Sequence, residues 1–185
     1  AASLQIPMIT HVMDPIGRWM SLQMVPLRTA PLPHGHGLNG YRIDSVLSAG
    51  GFSIVYLAQD ARGQPVAIKE YLPGWLVQRL PGEVAPRVMA QDRGSFHRGL
   101  NSFFAESSAL AAISHPNVVR VLDFFRTNDT AYLVMTYERG GTLEQCLGQS
   151  SRWRRALPEA NLRRCFVRLL DGLREVHLRR MLHLD

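Results

Sequence analysis

Three β-prone runs follow one another with no room for a helix between them, and this limits the folds open to the chain. Tyr41-Arg42-Ile43-Asp44-Ser45-Val46-Leu47 reads as a strand, Phe52 to Ala58 as its return, and Val66 to Glu70 as a third. Small residues, Ser48-Ala49-Gly50-Gly51, connect the first two runs, and Asp60-Ala61-Arg62-Gly63-Gln64-Pro65 supplies turn chemistry before the third. Connections this short join antiparallel neighbours, because a parallel pair needs a crossover of roughly a dozen residues or more. A doubly wound parallel sheet is therefore excluded for this region. The tip is flexible enough for backbone N–H groups to approach an anion closely, and Lys69 on the third run can neutralise it.

The composition fits a globular chain. Its 185 residues, 46% of them apolar, suit one domain or one domain plus a tail. No run of about 18 apolar residues occurs, so no segment reads as a membrane span. The formal charge of +6 is compatible with phosphate ligands. Its densest basic groups, Arg152-Trp153-Arg154-Arg155 and Arg163-Arg164, flank or sit in a predicted helix and read as a solvated face. With no zinc-finger or RNA-recognition pattern beside them, no nucleic-acid partner is expected. Cys146 and Cys165 have no CxxC partner and are expected as free thiols in a reducing cytoplasm. The N-terminus lacks a signal-peptide order and an initiating Met, so the expectation is a processed chain or a piece of a longer one.

Residues 1–37 hold five prolines and no sustained period, and are expected as an extended or disordered leader. His34 and His36 lie in it without a third ligand, so no metal site is expected. Residues 71–94 read as an irregular connection with a turn of helix near Leu76. From Ser95, the spacing of Phe96, Leu100, Phe103, Phe104, Ala109, Leu110 and Ile113 predicts a helix. It should end before Ser114-His115-Pro116, since the residue before proline disfavours the α region. Val118 to Phe125 and Ala131 to Tyr137 read as two strands joined at Thr127-Asn128-Asp129. Gly140-Gly141 breaks the chain, and Thr142 with Gln145 has the spacing of a capping box for a short helix. Gly148 to Arg155 reads as a loop, and Pro158 suits a helix start. Leu162, Cys165, Phe166, Leu169, Leu170, Leu173 and Val176 then form an apolar stripe at helical spacing, with Cys165 in the core. That helix should end near Leu178.

Five landmarks in this order resemble those of the protein kinases. Ser48 to Ser53 is similar to the glycine-rich loop and Val66-Ala67-Ile68-Lys69 to the VAIK strand. Glu106 matches the helix glutamate that pairs with that lysine. His115-Pro116-Asn117-Val118-Val119 is similar to the segment entering the fourth strand, and His183-Leu184-Asp185 to the opening of the catalytic loop. Ala131 to Leu143 and Ile68-Lys69-Glu70-Tyr71-Leu72-Pro73 resemble bacterial Ser/Thr kinases. The resemblance covers Leu38 to Asp185.

The fold implied is α+β: a five-stranded antiparallel sheet with one helix over residues 38–139, then the first helices of a truncated α-helical lobe over 140–185. The resemblance implies ATP as ligand and Mg²⁺ in the complete enzyme, with no metal ligand in these residues. Leu47, Val55 and Ala67 would face adenine, with Ser48, Ala49, Gly50, Gly51, Phe52 and Ser53 over the phosphates. Met135 falls at the gatekeeper position, and the backbone from Thr136 to Glu138 would hold the adenine edge. Lys69 would contact the α- and β-phosphates, braced by Glu106, and Asp185 would orient the substrate hydroxyl.

Four departures accompany the resemblance. Ser48 and Ser53 replace the first and third loop glycines, which restricts backbone angles and is expected to weaken nucleotide binding. Leu184 replaces the arginine that reads a phosphorylated activation loop. The 185 residues contain no catalytic-loop asparagine and no DFG aspartate for Mg²⁺. The expected function is the ATP-binding part of a Ser/Thr protein kinase of unspecified protein substrate, inactive as these residues alone. The alternatives are a pseudokinase-like nucleotide module without catalysis, or a partner-docking or self-associating module that uses an exposed Leu162–Val176 helix.

Overall fold

The computed structural model describes residues 10–13, 19–22, 29–140 and 159–181. β1 (Thr10–Met13) and β2 (Trp19–Leu22) form an antiparallel pair in register Thr10 to Leu22. Then follow β3 (Gly37–Leu38), β4 (Tyr41–Ala49), β5 (Ser53–Gln59) and β6 (Pro65–Tyr71). β7 (Val77–Gln78) and β8 (Arg87–Val88) pair with each other, and a 3₁₀ turn at Ala90–Asp92 leads into α1 (Arg93–Ala111). β9 (Val121–Thr127), β10 (Thr130–Thr136) and α2 (Glu159–Leu178) complete the described elements.

The main sheet is antiparallel throughout, in the order β3-β4-β5-β6-β10-β9. It has six strands where the sequence predicts five. The extra edge strand turns back at Asn39 and Gly40, with φ of 48° and 85°, the left-handed pair that a two-residue hairpin requires. Burial of Leu38 to 2% exposure anchors it. Asn128 and Asp129 make the same kind of turn between β9 and β10, at φ of 51° and 55°.

Alternation separates the two faces of the sheet. Ile54, Tyr56 and Ala58 on β5 share one face with Val66, Ile68 and Glu70 on β6 and Tyr132 and Val134 on β10. Leu32, Leu38 and Val77 cover that face. Full burial of an aliphatic or aromatic side chain contributes about 1.5–3 kcal/mol, so this layer dominates the stability of the sheet. The other face carries Val55, Ala67, Lys69, Tyr71, Leu133 and Met135. α1 packs over its Tyr71 end, with the Tyr71 ring 5.4 Å from Phe96 and 5.7 Å from Phe103. Gly99 permits this approach, since a Cβ there would collide with the Tyr71 hydroxyl and lie 2.9 Å from Cζ of the same ring.

The covered face hides a charged cluster. Arg79 donates to both carboxylate oxygens of Glu70, at 2.5 and 2.8 Å. The hydroxyls of Tyr56 and Tyr132 donate to the same carboxylate at 2.7 and 2.9 Å. Desolvation is the main cause that raises both tyrosine pKa values, and the Glu70 charge adds to it. Burial disfavours charge on Arg79, but its bonds to Glu70 outweigh this and raise its pKa. Arg79 Nε also donates to the Ala30 carbonyl at 2.7 Å, and Leu32 N–H to the Tyr56 hydroxyl at 3.1 Å. Residues 29–38 therefore form a strap, with a turn at His34-Gly35, fixed to the sheet through buried polar groups at its start.

The connection at 71–94 is more regular than the sequence suggests. A turn closed by the Leu76 N–H on the Pro73 carbonyl at 2.9 Å precedes β7 and β8, and Arg79 pins the segment by donating to Val84 O at 3.2 Å. α2 meets the loop after α1 through Asp171, whose carboxylate lies 3.2 Å from His115 Nε2 and 3.4 Å from Asn117 Nδ2. Phe166, Leu169 and Leu170 are more than half exposed. Cys165 is exposed as well, contrary to its predicted place in a core, because the described residues put nothing over that side of α2. The capping-box helix at Thr142, the loop from Gly148 and Cys146 lie outside the described residues.

Candidate functional site

The open face of the sheet assembles most of the predicted residues by register alone. Val55 stands directly across from Lys69, and Ser48 across from Val55. Ala67 lies between Leu57 on one side and Met135 on the other, and Leu133 stands across from Lys69. Val55, Ala67 and Met135 thus form an apolar floor, with the single amine of Lys69 at its end. Ala67 is nearly buried, while Val55, Lys69 and Met135 are partly exposed. A small side chain at 67 leaves room above the sheet for a flat ring. Leu47 is the extra residue of a β-bulge between Val46 and Ser48. Bulges bend a strand and re-aim side chains, and this one lies where the hairpin arm approaches its tip.

The tip itself is well defined. Gly50 N–H donates to the Ser53 carbonyl at 2.9 Å, which closes the hairpin. The Phe52 carbonyl accepts from Leu72 N–H and the Gly51 carbonyl from Gly74 N–H, each at 2.9 Å. The Phe52 ring meets the Trp75 ring edge-on, with centroids 4.1 Å apart. Ala49 and Ser48 are exposed beside it.

Thr136 and Glu138 follow β10. The Thr136 N–H donates to Arg120 O at 3.0 Å. The Thr136 hydroxyl donates to Glu138 Oε1 at 3.3 Å. Glu106 is exposed on α1, and among the described residues no ion pair joins it to Lys69. Asp185, His183 and Leu184 lie outside the described residues. Among the described residues no three His, Cys, Asp or Glu side chains cluster as a metal site would require.

Sequence reasoning missed two contributors to this face. Leu133 could have been found from its two-residue spacing to Met135. Trp75 could not, because its approach to Phe52 depends on the path of the chain after Pro73.

An antiparallel sheet with a small-residue tip beside a lysine, and one helix packed over the same face, is the small-lobe fold of a protein kinase. The structure described as the PpkA-294 apo form is similar to this one with a TM-score of 0.75 and 34% identity, covering 84% of this chain and 54% of that one. A mutant form of the PknI kinase domain from Mycobacterium tuberculosis shares the fold at a TM-score of 0.60 and 24% identity, covering 84% of this chain and 55% of that one. In sequence the chain is 34% identical over 149 residues to CBL-interacting protein kinase 4 of Oryza sativa subsp. japonica, covering 80% of this chain and 29% of the relative. It is 28% identical over 152 residues to L-type lectin-domain containing receptor kinase V.5 of Arabidopsis thaliana, covering 82% of this chain and 20% of that protein. Residues 76–185 match the protein kinase domain family, and the chain belongs to that family. It spans under a third of the length of these curated relatives and about half of the solved chains. The family match begins after Lys69, whereas the 149-residue alignment with the rice kinase includes both the tip and the lysine.

Proposed function

We propose that these residues form the ATP-binding part of a Ser/Thr protein kinase, which transfers the ATP γ-phosphate to protein hydroxyls when the rest of the polypeptide is present. One observation carries this reading. The register sets Lys69 across from Val55, at the end of the Val55, Ala67 and Met135 floor and on the strand next to the glycine-rich tip. Adenine would lie on the floor under Leu47, with its edge on the Thr136 carbonyl and the Glu138 backbone. The phosphates would then run beneath Ser48 to Ser53 toward Lys69. Lys69 supplies charge-assisted hydrogen bonds to the α- and β-phosphates. Asp185 would take the substrate hydroxyl, by resemblance alone. Magnesium serves the transfer in the family by neutralising phosphate charge, and no step here is routed through it.

The exposure of Glu106 favours a second reading. Without its carboxylate beside Lys69 the lysine lacks a brace, and the chain would hold nucleotide without turning it over. The kinship is with bacterial kinases, on the resemblance of Ile68 to Pro73, and the location is cytoplasmic, on the expectation that Cys146 and Cys165, neither of them in a CxxC pair, are free thiols.

The test is phosphate transfer by the polypeptide expressed through its whole reading frame. With ATP and Mg²⁺ it should phosphorylate Ser or Thr in a generic acceptor protein such as casein, and Lys69→Met should abolish the signal. Nucleotide binding without transfer would select the second reading.

A further inference from the structure

We propose that Trp75 is a positioning residue for the phosphate loop, and that the turn from Leu72 to Trp75 sets how tightly this site holds a nucleoside triphosphate. The inference rests on the nucleotide reading above and deepens it. A tip containing Gly50 and Gly51 is inherently loose. Fixing one residue's backbone costs about 1–2 kcal/mol of conformational entropy, more for glycine. A loop that is free before binding must meet that cost as it closes on a ligand, whereas a loop already held does not.

Here the tip is held by the chain that follows the lysine strand. Leu72 N–H and Gly74 N–H bind the carbonyls of two consecutive loop residues, Phe52 and Gly51, each at 2.9 Å. No cis peptide bond occurs among the described residues. In a planar trans peptide the N–H points opposite to the carbonyl. Tying the Gly51 and Phe52 carbonyls to the linker therefore turns the N–H groups of Phe52 and Ser53 away from it, as free donors for an anion. The Phe52 ring is 57% exposed, and its edge-on contact with Trp75 at 4.1 Å is what steadies it. Trp75 lies six residues after Lys69, so a single stretch of chain places both the amine and the loop amides.

The role predicts a selective defect. Trp75→Ala should weaken ATP binding by about tenfold, because the loop must then be ordered at binding. It should leave adenosine binding unchanged, because the purine floor does not involve the tip. Trp75→Phe should retain wild-type ATP affinity. Hydrogen exchange should rise at the amides of residues 50–53 in Trp75→Ala and stay level in β6. A merely structural Trp75 would weaken ATP and adenosine alike.

The experiment is titration of the 185-residue chain and these variants with ATP and with adenosine, alongside exchange and thermal unfolding. Should Trp75→Ala fail to fold, Phe52→Leu removes the other half of the contact and takes its place. Unchanged ATP affinity in a variant that retains its fold, or equal loss for both ligands, overturns the inference alone, provided Lys69→Met still weakens ATP. Absence of ATP binding by the unaltered chain overturns the nucleotide reading and this inference with it.

Discussion

Glu70 and Arg79 form a bidentate ion pair with no exposed side-chain surface on either partner. Glu70 is the immediate neighbour of Lys69, yet strand alternation sends the two side chains to opposite faces of the sheet. The lysine faces the candidate ligand and the glutamate faces the core. The buried pair, with Tyr56 and Tyr132, thus fixes β6 from behind and ties to it both the strap at Ala30 and the segment carrying Arg79.

Breaking one half of this pair should be costly. Removing one partner of a buried ion pair typically destabilises by about 3–5 kcal/mol, because the other is left charged and unmatched. Arg79→Met should therefore lower the denaturation free energy by that amount, measured by urea unfolding. The double variant Glu70→Leu/Arg79→Met should lose less than Arg79→Met alone.

The same cluster predicts alkaline sensitivity. The folded-state pKa values of Tyr56 and Tyr132 lie above that of an unfolded tyrosine, about 10. Their contribution is complete below that unfolded value and is lost as pH rises through the folded one. Urea unfolding between pH 9 and 11.5 should show stability falling above about pH 10, by about 1.4 kcal/mol per pH unit for each such tyrosine. Tyr56→Phe should make the decline shallower.

Much of this fold is legible in the sequence because its connections are short. Three β-prone runs with tight turns admit one pairing, and that pairing alone puts Lys69 beside Val55. Ala67 meets Met135 through β10, which reaches β6 only after α1 and β9. The ion pair of Glu70 and Arg79 is not legible, since a charged pair nine residues apart reads as two exposed side chains until the chain path between them is known. The edge strand at Gly37–Leu38 escapes because two residues carry no period. Cys165 has a core residue's spacing, yet its helix face is uncovered among the described residues.

Gly99 marks a close approach between α1 and the lysine strand. In Gly99→Ala the new methyl would collide with the Tyr71 hydroxyl oxygen and lie 2.9 Å from Cζ. The variant should lose about 1–3 kcal/mol by overpacking. Adding Tyr71→Phe should recover part of that loss, and a double-mutant cycle in thermal unfolding measures the coupling.

Gly172 plays a similar part where α2 meets the loop after α1. A Cβ there would lie 2.7 Å from the Asn117 backbone carbonyl, which cannot rotate away. Gly172→Ala should push α2 off His115 and Asn117. Hydrogen exchange should then rise across 159–178 and stay unchanged in β5 and β6.

The most direct test of the nucleotide site is isothermal titration of the 185-residue chain with ATP, for the unaltered protein and for Lys69→Met. Hydrogen bonds to a charged group contribute about 1.5–3 kcal/mol, so loss of the amine should weaken binding by about ten- to a hundredfold. Saturable binding that falls by this factor in Lys69→Met is the predicted result. No binding by the unaltered chain, or equal affinity in both proteins, would contradict it.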